Sequence, residues 1–354
     1  MHPLDHAAIV GWLRETDPGR LEALWAEADA VRRANVGEAV ELRGLIEISN
    51  HCVRRCGYCG LRAPNRAVQR YRLSDDEIVS TAQQAVDLGY GTLVLQSGED
   101  PAFTLERLVG LVHRLRRETG LALTLSLGER TEAELAALRA AGADRYLLRF
   151  ETANPVLYAR IHPARAPGLP DRFALLAALR RLGFEVGSGV MIGIPGQTWD
   201  DLARDLETFR DLGLDMIGVG PFLAHPDTPL GWSRKRFPDQ VPATEDLTYR
   251  VLALTRLLRP DANLPVTTAL CVTSPGQGRL LGLQRGGNVI MPNLTPAAAR
   301  VLYTIYPAKA SEPVPVGEVH RQLLALLSSL GRHPGTGPGA APSFRARQQQ
   351  EVGT

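Results

Sequence analysis

The sequence has few cysteines, few lysines and no strong excess of either charge. Its 354 residues include four cysteines and carry a net charge of +2. Three of these cysteines lie within eight residues of one another, so a secreted disulfide framework, which spreads its cysteines along a short chain, is a poor interpretation. Lys235 and Lys309 are the only lysines. A charge this close to neutral does not favour nucleic acid or a membrane surface as the main partner.

Two kinds of segment are also missing. No apolar run approaches the roughly 20 residues that a membrane-spanning helix requires. The first residues lack a basic stretch followed by an apolar core, so we expect no signal peptide and a cytoplasmic protein. The hydrophobic content of 44% is ordinary for a globular protein, and the length allows one large domain or two modest ones.

Short apolar runs alternate with longer amphipathic stretches from about residue 44 to 300. We predict strands at Leu45–Ile48, Thr92–Leu95, Ala122–Leu125, Arg145–Leu148, Glu185–Met191, Met216–Val219, Val266–Ala269 and Asn288–Met291. The stretches between them carry helix signals, such as the capping box Ser74-Asp-Asp-Glu77 and the terminating Gly89. Eight such units over ~250 residues predict a complete (β/α)8 TIM barrel. An open doubly wound sheet gives a similar alternation, but the count of eight favours the barrel.

The barrel is predicted to have a segment on either side. Residues 1–43 have the apolar periodicity of helices and are predicted as an N-terminal helical extension. Residues 44–330 are predicted as the barrel. Residues 331–354 are rich in glycine and proline and are predicted as a flexible, disordered tail.

Cys52, Cys56 and Cys59 follow the first predicted strand with the spacing C-x3-C-x2-C. Catalytic loops collect at this end of a parallel barrel. Three thiolates can ligate three irons of a 4Fe-4S cluster. The fourth iron is then open to the amino and carboxylate groups of S-adenosylmethionine (SAM), whose S–C bond can be broken by one electron. The three cysteines are therefore predicted as metal ligands and as the origin of radical chemistry.

Other metal or redox sites explain the cysteines less well. A structural zinc site or a structural cluster normally takes four protein ligands, and Cys271 lies far along the chain. A redox pair of Cys56 and Cys59 would leave Cys52 unexplained. Cys271 is better interpreted as a small buried side chain.

A cysteine loop of this spacing, with Tyr58 before its last cysteine, resembles the radical SAM superfamily. Further stretches narrow the resemblance. They are Leu95-Gln-Ser-Gly-Glu-Asp100, Leu147-Leu-Arg-Phe-Glu-Thr-Ala-Asn-Pro155, Gly187-Ser-Gly-Val-Met-Ile-Gly-Ile-Pro-Gly-Gln-Thr198, Ile217-Gly-Val-Gly-Pro-Phe222, His225-Pro-Asp-Thr-Pro-Leu230, Thr267-Thr-Ala269 and Asn288-Val-Ile-Met-Pro-Asn293. Together they resemble the HydE family of FeFe-hydrogenase maturases, from about residue 10 to 335. Biotin synthase and methylornithine synthase are relatives with the same barrel.

The resemblance implies a long cavity with the cluster and SAM at its top and a second small-molecule site lower down. The residues that it assigns to SAM are Gln96, Ser97, Gly98 and Glu99 along the methionine amino group, Glu151 beside the ribose and sulfonium, and Arg172 at the methionine carboxylate. The residues that it assigns to the lower site are Arg149, Thr267, Thr268 and Met291.

For several of these residues, a purely structural role remains an alternative to ligand binding. Tyr58 either covers the adenine of SAM or packs under the cysteine loop. Arg149 and Glu151 either contact ligand or pair with each other. Thr267 and Thr268 are also ordinary strand residues, and Met291 is also an ordinary core residue.

The resemblance also implies an activity. SAM would be cleaved to a 5'-deoxyadenosyl radical that acts on a small sulfur-containing substrate, a cysteine-bound iron carbonyl cyanide complex, during assembly of the hydrogenase cluster. An external electron donor and other hydrogenase maturases are the implied partners. The alternatives are a related radical enzyme, such as an amino-acid mutase like methylornithine synthase or a carbon–sulfur bond former, and a non-catalytic iron–sulfur carrier.

The chain departs from the HydE pattern at two places. Some members carry a second cluster through cysteines after the last strand, but residues 309–315 contain none. One cluster is therefore expected. Phe150 stands where a histidine can occur beside the glutamate, which changes the expected electrostatics around Glu151.

Overall fold

Parallel strands form the centre of the fold. The structure is a computed structural model and describes residues 4–163, 171–233, 235, 237–307, 309 and 314–352. Its strands are β1 (Ala39–Ser49), β2 (Thr92–Ser97), β3 (Ala122–Ser126), β4 (Arg145–Leu147), β5 (Glu185–Ile192), β6 (Met216–Pro221), β7 (Val289–Ile290) and β8 (His333–Pro334). All pairs are parallel, in the order β6-β5-β4-β3-β2-β1-β7, and β8 also pairs with β1.

Helices connect the strands and pack against the sheet through a large apolar core. They are α1 (His6–Arg14), α2 (Pro18–Val36), α3 (Asp75–Asp87), α4 (Leu105–Thr119), α5 (Glu132–Ala140), α6 (Pro155–Ile161), α7 (Arg172–Arg181), α8 (Trp199–Asp211), α9 (Pro229–Trp232), α10 (Glu245–Leu258), α11 (Thr268–Thr273), α12 (Gly278–Gln284), α13 (Ala297–Arg300), α14 (Val316–Ser329) and α15 (Pro342–Val352). None of the helices in the described ranges has the length and apolarity to cross a membrane.

The helix signals in the sequence act as predicted at α3. The Glu77 amide donates to Ser74 Oγ at 3.2 Å, and the Ser74 amide donates to Glu77 Oε2 at 2.7 Å, which confirms the capping box. The helix ends before Gly89, which has φ +72°. A residue with a side chain is strained in that conformation. Local chemistry therefore sets both ends of this helix.

The strand predicted over 266–269 is wrong. Val266 makes a single parallel bridge to Val219, and the chain then turns into α11. Thr267 is the N-cap of this helix: its Oγ1 accepts from the Leu270 amide at 3.4 Å and donates to the Val219 carbonyl at 3.0 Å. A threonine that bonds to neighbouring backbone in this way favours a helix start over a strand.

Regular elements occur in both of the segments that flank the predicted barrel. Strand β1 begins at Ala39, inside the segment predicted as helical extension. The tail predicted to be disordered contains β8 and α15. Within it, the Gly339 carbonyl accepts from Arg43 Nη2 at 2.9 Å, and the Ala341 amide donates to Glu185 Oε1 at 3.0 Å. The composition of this segment predicts disorder. It does not record that Arg43 and Glu185 are buried charges in the strands, which form hydrogen bonds with the backbone of the tail.

Arg347 on α15 pairs with a buried carboxylate that directly precedes β6. Its Nη1 and Nη2 donate to Asp215 Oδ1 and Oδ2, both at 2.7 Å, and the Asp215 side chain is 0% exposed. We expect Arg347→Ala to lower the free energy of unfolding by about 1–3 kcal/mol, because a buried carboxylate loses a bidentate partner. Urea unfolding followed by circular dichroism measures the change. Arg345→Ala, an exposed change on the same helix, is the control and should stay within about 0.5 kcal/mol of the parent. Equal urea midpoints for Arg347→Ala and Arg345→Ala would contradict a stabilising role of the Arg347–Asp215 ion pair.

Candidate functional site

A cavity of about 400 Å³ opens at the carboxyl ends of the strands. Most of the predicted site residues line it, namely Tyr58, Cys59, Gln96, Ser97, Arg149, Glu151, Arg172, Thr267, Thr268 and Met291. The other predicted residues, Cys52, Cys56, Gly98 and Glu99, lie in the two loops that follow β1 and β2. The fold therefore brings the predicted cluster, SAM and substrate residues to one end of the sheet.

The cysteine loop is held by backbone hydrogen bonds from several directions. The Val53 amide donates to the Glu99 carbonyl at 3.0 Å, and the Gly57 amide donates to the Ile161 carbonyl at 2.8 Å. Gly98 lies so close that an added Cβ would be 2.2 Å from the His51 carbonyl oxygen. Because only glycine permits this approach, the loop after β2 supports the cysteine loop directly.

Burial disfavours the thiolate form of all three loop cysteines. Burial raises the pKa of Cys52, and it raises the pKa of Cys59 to about 12. Burial and the neighbouring thiols of Cys59 and Cys52 raise the pKa of Cys56 further. Thiolates crowded in this way need a bound cation, and metal coordination deprotonates a thiol outright.

The thiols of Cys52, Cys56 and Cys59 are the type of ligand that iron–sulfur clusters take from proteins. Across the ranges that the structure describes, no three His, Cys, Asp or Glu side chains are grouped as ligands of one metal ion. In a 4Fe-4S cluster each thiolate ligates a different iron, so the sulfurs lie farther apart than around one ion. Cys271 lines the same cavity from α11, half-buried, instead of being a fully buried core residue.

Tyr58 packs under the loop that carries it. Its ring meets the edge of His162 at a centroid distance of 5.5 Å and lies 5.9 Å from the ring of Phe222. Its hydroxyl lies 3.1 Å from His162 Nε2. Tyr58 therefore packs against His162 and Phe222 and also lines the cavity, so contact of its ring with the adenine of SAM stays a prediction. Sequence reasoning missed His162, because a histidine between Ile161 and a proline carries no recognisable signal.

A buried carboxylate joins two arginines beside the loop. Glu129, whose side chain is 0% exposed, accepts from Arg54 Nη1 at 3.0 Å through Oε2 and from Arg172 Nε at 2.9 Å through Oε1. Glu99 Oε1 accepts from the Glu129 amide at 3.2 Å. Sequence reasoning missed Glu129 and Arg54. The signal was present, since Gly128-Glu129 follows β3 as Gly98-Glu99 follows β2.

The pKa values in this group follow from burial and charge. Burial raises the pKa of Glu99, although Arg54 opposes the rise. Burial alone would lower the pKa of Arg54, but Glu99 and Glu129 outweigh it and raise that pKa. Burial likewise acts against Arg172, yet Tyr158, Glu151 and Glu129 hold its pKa above the usual value. Both guanidinium groups therefore stay charged.

Arg149 and Glu151 pair with each other. Arg149 Nε donates to Glu151 Oε1 at 3.2 Å and to Oε2 at 3.0 Å. Glu151 has φ +65°, a conformation that costs a residue with a side chain about 1–3 kcal/mol. Hydrogen bonds to β5 hold it there, because its amide donates to the Gly189 carbonyl at 3.0 Å and its carbonyl accepts from Met191 at 3.1 Å. In this backbone conformation Glu151 lines the cavity.

A second charged pair lies at the wall of the cavity, which Lys309 lines. Lys309 forms a salt bridge with Glu47, whose side chain is 0% exposed and which also accepts from Asn293 Nδ2 at 3.0 Å. Lys309 Nζ lies 4.4 Å above the ring of Tyr303. Sequence reasoning missed both charges. A glutamate in the middle of the apolar run Leu45–Ile48 was the available signal, since a buried charge in a strand needs a partner.

A parallel α/β fold with this cysteine loop at its carboxyl edge defines the class of radical SAM enzymes. The family model described as Radical SAM superfamily matches residues 46–209. The chain is 44% identical over 319 residues to the FeFe hydrogenase maturase subunit HydE of Thermotoga maritima, covering 90% of this chain and 88% of that protein. It is 28% identical over 272 residues to 3-methylornithine synthase of Methanosarcina acetivorans, covering 76% and 74%.

Solved structures share the fold. The crystal structure of methylornithine synthase matches with a TM-score of 0.78 at 24% identity and covers 94% of both chains. The structure of HydG, a maturase of the FeFe hydrogenase, matches with a TM-score of 0.76 at 18% identity and covers 97% of this chain and 74% of that one.

The chain belongs to the radical SAM superfamily and is a radical SAM enzyme. Within the superfamily, the predicted resemblance to HydE is confirmed by the identity with the Thermotoga maritima protein. Membership implies an iron–sulfur cluster and SAM as cofactors and a small molecule as substrate.

Proposed function

We propose that this enzyme is a HydE-type maturase in assembly of the FeFe-hydrogenase active-site cluster. The observation that carries the proposal is the 44% identity to HydE over 90% of the chain. The radical would act on a small sulfur-containing molecule, the cysteine-bound iron carbonyl cyanide complex. The partners would be an external electron donor and the other hydrogenase maturases, and the expected location is the cytoplasm.

The proposed scaffold is a complete (β/α)8 barrel, with the predicted helical extension before it. The central sheet supplies β1–β7, and isolated parallel bridges continue it beyond β6. Met216 pairs with Asn263 and Val219 with Val266, while Pro265 pairs with Val289 of β7. These bridges support closure, because residues 263–266 then fill the gap between β6 and β7 in place of the predicted strand.

We assign one 4Fe-4S cluster to Cys52, Cys56 and Cys59. When bound, this group supplies the electron that splits SAM into methionine and a 5'-deoxyadenosyl radical. Arg54 supports the assignment, because its charge lies beside these thiols and its Nε and Nη2 are buried without a hydrogen-bond partner in the described part of the chain. A positive group at this place stabilises the negative charge of a thiolate-bound cluster.

The remaining predicted residues would bind and orient SAM and substrate. Gln96, Ser97, Gly98 and Glu99 would lie along the methionine amino group, and Glu151 would lie beside the ribose and sulfonium. Arg172, held by Glu129, would bind the methionine carboxylate. Deeper in the cavity, the substrate would contact Arg149, Thr267, Thr268 and Met291. The residues that line the cavity would keep the radical near its target and away from water.

Anaerobic turnover tests the function in two steps. The iron-reconstituted enzyme, given SAM and dithionite, should release 5'-deoxyadenosine. It should then restore hydrogen evolution when it replaces HydE in a maturation mixture that holds the other maturases and apo-hydrogenase. SAM cleavage with no restored hydrogenase activity, together with formation of 3-methylornithine, would instead favour the amino-acid mutase alternative suggested by the 28% identity to 3-methylornithine synthase.

A further inference from the structure

A buried histidine connects two members of the cysteine loop. His162 follows α6 and is 6% exposed. Its Nδ1 lies 3.1 Å from Cys56 Sγ, and its Nε2 lies 3.1 Å from the Tyr58 hydroxyl. The ring stacks on Tyr158 with a centroid distance of 5.0 Å and an interplanar angle of 10°. Both nitrogens and one ring face are engaged, so the imidazole has one orientation.

The chemistry of the two partners fixes where the proton lies. A metal-bound thiolate has no hydrogen and can only accept. In the enzyme with Cys56 bound to iron, Nδ1 must therefore carry the hydrogen and donate it to the sulfur. A neutral imidazole then presents Nε2 as an acceptor, and the Tyr58 hydroxyl donates to it. The Tyr58 hydroxyl thus stabilises the tautomer that donates to Cys56.

The three thiols differ in the kind of donor that they receive. Cys52 Sγ accepts from the Arg54 amide at 3.4 Å, and the Leu61 amide donates to Cys59. Backbone donors of this kind stay in place when side chains change. Cys56 receives its bond from the side chain of His162. It is therefore the thiol whose hydrogen bond a single substitution can remove.

We propose that His162 is a positioning residue that donates a hydrogen bond to the Cys56 thiolate and so makes the cluster easier to reduce. This inference rests on the proposed function, in which Cys56 is a ligand. Reduction adds negative charge to the iron–sulfur unit, so an N–H donor at a ligating sulfur stabilises the reduced state more than the oxidised one. Because the radical reaction begins with reduction, this bond influences which electron donors can start it.

The experiment is a potentiometric titration of the reconstituted holoenzyme, followed by electron paramagnetic resonance of the reduced cluster. In His162→Phe, the ratio of reduced to oxidised cluster at the parent's midpoint potential should fall about threefold to tenfold, the size expected for one charge-assisted hydrogen bond. His162→Asn places an amide N–H near the position of Nδ1 and should recover most of the parent ratio. His113→Phe, an exposed histidine on α4, is the matched control and should not change it.

An unchanged ratio in a cluster-loaded His162→Phe would overturn the inference. If this variant takes up no iron, His162→Leu decides, because it also removes the N–H donor to Cys56 but places a smaller apolar side chain beside the cysteine loop. A lower ratio in cluster-loaded His162→Leu would support the inference, and an unchanged ratio would reject it. A parent enzyme that binds no cluster would instead refute the proposed function, so the two failures are distinguishable.

Discussion

We expect Cys56→Ala to abolish both cluster binding and SAM cleavage, whereas Cys271→Ala keeps both. The three loop cysteines are proposed to ligate three different irons. Removing Cys56 leaves one iron without a protein ligand in a site from which water is largely excluded, since Cys56 is buried. Cys271 lines the same cavity but lies on α11, away from the loop. The fourth cysteine is thus a matched control for loss of a thiol.

Iron and sulfide content after anaerobic reconstitution, together with 5'-deoxyadenosine release, measure the effect. Cys56→Ala should lose the paramagnetic signal of the reduced cluster and release no more 5'-deoxyadenosine than a reaction without protein. Circular dichroism should remain that of the parent, because the surrounding strands do not depend on this thiol. If Cys56→Ala cleaved SAM at the parental rate, or if Cys271→Ala also lost the cluster, the assignment of ligands would be wrong.

The cysteine loop could be predicted because its signal is local. Cys52, Cys56 and Cys59 lie in one short segment, and their spacing alone carries the chemistry. The strands were predicted from short apolar runs for the same reason. The error at residues 266–269 arose because β-branched residues indicate a strand, while the hydroxyl of Thr267 accepts from the Leu270 amide and starts a helix. Propensity was outweighed by one side-chain hydrogen bond.

The parts that could not be predicted depend on contacts between distant segments. His162 reaches Cys56 across 106 positions, and Arg54 reaches Glu129 across 75. The place of Glu129 after β3 marks it as a candidate site residue, but no periodicity or spacing in a single sequence records which distant residue it contacts. The tail shows the same limit: its composition predicts disorder, yet Arg347 reaches Asp215 across 132 positions. These groups are ordered by burial and charge that only the folded chain provides.

The charged groups beside the loop form one alternating set. Arg54 lies between Glu129 and Glu99, at 3.0 Å and 3.7 Å, and Glu129 lies between Arg54 and Arg172. Buried charges are tolerated when each has an opposite neighbour and hydrogen bonds. Glu129 contacts both arginines, so its carboxylate determines where each guanidinium group points.

Glu129→Gln should therefore weaken SAM binding by about tenfold or more and lower the melting temperature. The direction of the change in SAM affinity distinguishes two explanations. If net charge alone governed binding, removal of a carboxylate near Arg172 would tighten the hold on the methionine carboxylate. We expect the opposite, because the amide oxygen can accept from only one of Arg54 and Arg172, its NH2 group would face the other arginine, and neither would keep Glu129 as an anion. Breaking a buried ion pair of this kind costs about 3–5 kcal/mol.

Equilibrium dialysis with SAM and thermal unfolding under anaerobic conditions separate the two explanations. Glu132→Gln is the matched control: its carboxylate is 54% exposed and pairs with the exposed Arg181, so neither affinity nor melting temperature should change measurably. Glu129→Asp keeps the charge but shortens the side chain, and we expect an intermediate loss of affinity if orientation governs binding. Tighter binding in Glu129→Gln would mean that Arg172 reaches SAM without the help of Glu129, and the orienting role of the carboxylate would have to be abandoned.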